Sequence, residues 1–128
     1  MSKSSTWSLK PETVSALGWV VVGLIVLTGI FHVYAGLVEG RVPVTIAGVG
    51  FLGAIVLYLM DYRRRLLYAV GILYTAVQFP LWYVANVGEF TTLGFVDKAV
   101  QIVIITLLAY LLWRSRPASS DQPSTTGR

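Results

Sequence analysis

VVVGLIVLTGIFHVYAGLV, residues 20–38, runs without a lysine, arginine, aspartate or glutamate. It lacks the apolar–polar alternation of a half-buried strand and is far longer than a globular strand. A hydrocarbon slab about 30 Å thick is crossed by roughly 20 apolar residues in a helix. Backbone N–H and C=O groups in hydrocarbon must find partners inside the structure, and a helix supplies them within one segment. The stretch therefore reads as a membrane-crossing helix over residues 14–38.

Three further stretches of the same character follow at residues 42–60, 66–87 and 93–113, the start of the last falling between Thr92 and Phe95. The links are short: Glu39-Gly40-Arg41, then Asp61-Tyr62-Arg63-Arg64-Arg65, then residues 88–93. Short links set sequential helices side by side and antiparallel. The expected fold is all-α: a four-transmembrane-helix antiparallel bundle over residues 13–113. A flexible tail over residues 1–12 and a disordered tail over 114–128 flank it, both poor in apolar surface. No internal repeat is evident. A basic start, an apolar run and Val33-Tyr34-Ala35 also resemble a signal peptide, but the run exceeds the 7–15 residues of such regions.

Composition agrees. The 128 residues are 55% hydrophobic and 12% charged, about half the charged fraction of a soluble domain, which excludes a water-soluble globule and disorder of the bulk. With no cysteine, disulfides, thiolate metal sites and cysteine nucleophiles are excluded.

Charge placement orients the bundle. Lys3, Lys10, Arg63, Arg64, Arg65, Arg114, Arg116 and Arg128 fall on one side, Arg41 and Lys98 on the other. Basic segments stay in the cytoplasm, so both termini are expected inside the cell membrane, with Arg63, Arg64 and Arg65 as topology anchors. The net charge of +4 lies mostly on that face, where anionic headgroups answer it. Nucleic acid is not an expected partner, because no soluble basic surface interleaved with aromatics is present.

Gly48-Val49-Gly50-Phe51-Leu52-Gly53 spells GxGxxG. It lies inside an apolar helix with no acid suitably spaced behind it, so it is not a dinucleotide fingerprint. Small residues let membrane helices approach, and Gly36, Gly40, Gly50, Ala54 and Gly71 are assigned to helix packing. His32, the one histidine, is costly within a span and raises a functional hypothesis, but the favoured reading is a neutral ring hydrogen-bonded to a neighbouring helix. At 1.5 Å per residue, Gln78 and Gln101 fall near mid-membrane, and His32 and Asp97 about 9 Å towards the outer face. With Trp82 these form a polar cluster in the outer half of the bundle. Pro80 predicts a kink beside Gln78. Asp97 can also be read as a helix-start acid, with Lys98 reaching headgroups.

The stretch from Ala47 to Trp113, with the segments GVGFLGAIVLYL, YRRRLLYAVGILYTAVQFPLWYV and DKAVQIVIITLLAYLLWR, the last ending at Arg114, resembles a group of uncharacterised small four-helix integral membrane proteins of haloarchaea. The resemblance covers about half the chain. It implies the fold and an archaeal source, and it carries no activity.

The function favoured by sequence alone is an accessory or structural membrane subunit, or a homo-oligomer, with the lipid bilayer and another membrane subunit or a second copy as partners. The alternative is a small transporter or channel with a polar cavity in the outer half. A quinone- or haem-linked redox protein comes third, and it would need a borrowed cofactor. No hydrolytic constellation or metal motif is found, so no enzyme activity, catalytic residue, metal or cofactor is expected.

Overall fold

Ser15 accepts the Gly18 N–H through its side chain and so satisfies one of the free donors at a helix start. That cap opens α1, Ala16–Glu39, which ends at Gly40 in the left-handed conformation, φ 67°. Glycine alone reaches such a backbone without steric cost. In α2, Val42–Leu59, Pro43 occupies the first turn, where its missing N–H costs nothing. Thr91 caps α4, Thr92–Arg114, by accepting the Gly94 N–H. Between them α3, Arg64–Asn86, starts without a side-chain cap and runs on past Pro80. The computed structural model describes residues 8–115. The expected C-terminal tail beyond Ser115 and the first seven residues of the N-terminal one lie outside them.

Each of the four helices is long and apolar enough to cross a membrane. Their burial is inverted relative to a protein in water. Leu73, Val84 and Leu37 are 71%, 74% and 68% exposed, while Gln101, Lys98 and Asp97 are 0%, 6% and 8% exposed. Such an arrangement is stable only where the surroundings are apolar and the interior supplies polar partners.

α1 packs closely on α2 and also against α4, and α4 packs against α3. A Cβ added at Gly48 would lie 2.6 Å from the Gly29 carbonyl oxygen and 2.7 Å from the Val33 nitrogen. The α1 backbone can approach this far only because Gly48 lacks a side chain, and Gly29 in turn makes room for Leu52 and Phe51. Gly36 meets the Thr45 backbone in the same seam. By contrast α2 and α3 barely touch, although consecutive helices were expected to lie side by side. Asp61 and Arg63 in their link both take positive φ, 60° and 43°. The gap is a 440 Å³ apolar cleft, lined among others by Val21, Phe51, Ala54, Leu67 and Thr75. Tyr74 bridges it by donating to the Ala47 carbonyl, 2.8 Å away, and passes over Gly50.

Two sets of contacts gather the helix ends. At one end Arg41 donates to Asn86 at 3.2 Å. At the other, Lys10 N–H donates to the Leu59 carbonyl at 2.6 Å, and Arg114 to Ser15 at 3.3 Å. Arg64 donates there to the Tyr58 and Thr13 carbonyls, 2.8 and 3.1 Å away. Pro11–Thr13 forms a 3-10 turn, so this part of the expected flexible tail is tied to α2 and α3. Backbone acceptors left over at the end of α2 explain the difference, because Lys10 and Arg64 satisfy them.

The interior divides into two zones. Val21, Val22, Ile25, Phe51, Ile55, Ile104, Leu108 and Leu111 form an apolar core towards the arginine-rich end. Thr28, His32, Thr75, Gln78, Asp97, Lys98 and Gln101 form the buried polar zone beyond it.

Candidate functional site

α1 contributes Thr28 and His32, one turn apart on the face that meets α4. α4 contributes Asp97, Lys98 and Gln101 from its second and third turns. Thr28 donates from Oγ1 to Asp97 Oδ1 at 2.6 Å and accepts from Gln101 Nε2 at 3.4 Å. Lys98 Nζ donates to Gln101 Oε1 at 2.6 Å and to Asp97 Oδ2 at 3.4 Å. The same ammonium lies 5.4 Å from the Phe79 ring centroid and 5.7 Å from that of Trp82, where the aromatic faces attract a cation. An unpaired buried charge is costly, and here carboxylate and ammonium neutralise each other within a network that links α1 and α4.

His32 completes the group. Its Nδ1 lies 2.8 Å from the Thr28 carbonyl oxygen. A carbonyl only accepts, so the hydrogen-bond partner assigns the proton of the neutral ring to Nδ1. Nε2 then presents its lone pair to Asp97 Oδ2, 3.8 Å away. Phe51 and Phe31 flank the imidazole at centroid distances of 5.7 and 5.9 Å.

The cluster forms the inner end of a cavity of about 590 Å³. His32, Asp97, Lys98, Gln78 and Trp82 line its inner part, and Glu39, Arg41, Asn86 and Thr91 line it at the end bearing the first and third links. Glu39 and Arg41 pair at 3.1 Å. Gln78 is 8% exposed, and among the described residues no side-chain hydrogen bond engages it. Beyond the cluster, Gln101, Thr28, Thr75 and Ile104 are fully buried, and the apolar core closes the way to the opposite end.

The structure thus gathers the five residues of the expected polar cluster in one region. His32, Asp97 and Gln101 share a network, Gln78 faces the cavity, and Trp82 contributes its ring beside Lys98. Lys98 does not reach for headgroups: Gln101 and Asp97 hold it inside. Thr28 was missed altogether, although its position one turn before His32 is a usable signal. Of the packing residues, Gly36, Gly50 and Gly71 meet Thr45, Tyr74 and Leu108, respectively, and Ala54 lines the α2–α3 cleft. Gly40 instead ends α1, with open space where a Cβ would sit. Of the three anchors, Arg63 opens α3 with a left-handed backbone. Arg64 folds inward over the Tyr58 ring, 4.7 Å from its centroid, and Arg65 is exposed.

No curated protein and no solved structure matches the chain. One family model does, over residues 2–112. By that match the chain belongs to the family of unknown function DUF7475.

Proposed function

We propose that this chain is an integral, multi-pass membrane protein of the cell membrane that binds a small polar solute from the outer side and carries it inward. The observation that carries the reading is the Thr28–His32–Asp97–Lys98–Gln101 network at the inner end of a 590 Å³ cavity. Ionisable groups inside a membrane span are costly and mark solute or ion pathways. The helices cross alternately, antiparallel, and both termini lie in the cytoplasm, as the bias of basic residues favours. The cavity then opens outward and the apolar core bars its inner end, as in a carrier waiting for its solute. The reading requires no enzyme activity, cofactor or nucleic acid. The resemblance to haloarchaeal four-helix proteins fits this fold and leaves the solute open.

Uptake of labelled small carboxylates, amino acids and quaternary amines into proteoliposomes tests the proposal. Uptake of one class, lost in Gln101→Leu, is the expected result. A second reading, an accessory subunit or homo-oligomer, draws on the apolar α2–α3 cleft, which a partner helix would fill. No uptake of any class, together with a stable membrane complex on gentle purification, would favour it.

A further inference from the structure

We infer that His32 and Asp97 bind a proton between them, and that this proton frees Lys98 to hold a small carboxylate in the cavity. The inference rests on the solute-binding reading and names both the solute class and its coupling.

Two acceptor atoms converge without a donor between them. His32 Nδ1 is committed to the Thr28 carbonyl, so the neutral ring turns a bare Nε2 towards Asp97 Oδ2 at 3.8 Å. Lone pairs so placed repel, and a proton on Nε2 converts the repulsion into an ion pair of imidazolium and carboxylate at 3.8 Å. Among the described residues no third carboxylate or imidazole joins the pair. The ammonium of Lys98, 3.4 Å from the same Oδ2, opposes a metal cation there.

Loading the proton has a consequence for Lys98. Its bond to Gln101 is short, 2.6 Å, whereas its contact with Asp97 is long, 3.4 Å. An imidazolium on Oδ2 takes over the neutralisation of Asp97 and leaves the Lys98 charge unanswered. Lys98 and Gln78 both line the cavity. The unengaged Gln78 amide offers N–H donors and Lys98 offers a cation, which together suit a carboxylate.

Charge arithmetic points the same way. The charged groups around the cavity are Glu39, Arg41, Asp97 and Lys98, two of each sign. α2 contributes no titratable group to the lining, and α3 contributes only neutral ones, Gln78, Trp82 and Asn86. A lone anion would leave one unit of net negative charge in a poorly solvated site. An anion entering with a proton on His32 restores neutrality. The proton comes from hydronium at the cavity mouth: its O–H bond breaks as the Nε2–H bond forms, and a water molecule is left behind.

His32 is the only histidine, so [¹⁵N]histidine labelling of the full chain in lipid nanodiscs yields one imidazole to follow by NMR, with acetate as the probe. The expected neutral ring is the Nδ1–H tautomer. Acetate should convert it to imidazolium at constant pH, and acetate Kd should weaken about tenfold per pH unit above the His32 midpoint, because only the protonated state is competent. Lys98→Met should abolish the acetate response while His32 still titrates, and Asp97→Asn should weaken proton binding. An Nε2–H tautomer, or a His32 titration that acetate leaves unmoved, overturns the inference. Acetate uptake by proteoliposomes that is indifferent to pH also overturns it and leaves the carrier reading standing. Proton–acetate linkage without uptake supports it and removes transport.

Discussion

Removing either partner of the Asp97–Lys98 pair should cost far more than removing both. The ammonium and carboxylate stand 3.4 Å apart with side chains 7% exposed. At an effective dielectric constant of about 20, that separation is worth about 5 kcal/mol of attraction before desolvation. Lys98→Met leaves Asp97 with the Thr28 hydroxyl and His32 but without its cation, and Asp97→Asn strands the ammonium. Each single change should destabilise by about 3–5 kcal/mol, whereas replacing a whole buried pair is often nearly neutral. The singles then sum to about 6–10 kcal/mol, and the double variant should fall short of that sum by more than the cost of one single, about 5 kcal/mol or more. Unfolding in mixed detergent micelles, titrated with dodecyl sulfate for the four proteins of the cycle, measures this coupling. Additivity within about 0.5 kcal/mol would show that the two groups do not interact and would refute the reasoning.

Other consequences follow from individual positions. Gly48→Ala places a Cβ 2.6 Å from the Gly29 carbonyl oxygen and should lower stability by about 1–3 kcal/mol through overpacking. Gly53→Ala, with nothing within 4 Å of its Cβ, should be neutral or gain about 0.5–1 kcal/mol from helix propensity; thermal unfolding compares the two. Thr75 Oγ1 is buried without a hydrogen-bond partner, so Thr75→Val should stabilise by about 1 kcal/mol in the same assay. Arg64→Ala removes the donors to the Thr13 and Tyr58 carbonyls. Proteinase K should then cut residues 8–13 faster, with the helices still protected.

Much of the architecture could be read from the chain because the bilayer imposes one solution on long apolar runs. The structure starts α2 at Val42 and α4 at Thr92, within the expected range, and α3 at Arg64, two residues earlier than expected. The axial level of the polar residues was equally legible, since a fixed rise per residue places His32 and Asp97 at a common depth. What each one touches depends on how α1 and α4 are rotated about their axes, and an evenly apolar helix carries no stripe that fixes rotation. Thr28 therefore stayed hidden, an ordinary threonine in an apolar run until Asp97 is seen 2.6 Å away. Lys98 misled for a related reason. Near the start of a helix a lysine can reach water, but Gln101 one turn on offers an acceptor inside the bundle. The left-handed backbone of Asp61 and Arg63 in the α2–α3 link is a further feature that an arginine does not announce.

The central claim is that a water-filled entrance on the outer side leads into the bundle while the arginine-rich end faces the cytoplasm. The chain has no cysteine, so single replacements report accessibility without background. Ala35 lines the cavity and Ser115 follows α4 at the opposite end. In sealed cells, a membrane-impermeant maleimide should modify Ala35→Cys at once and Ser115→Cys only after permeabilisation. Labelling of Ser115→Cys in intact cells, or protection of Ala35→Cys from the outside, would contradict the account.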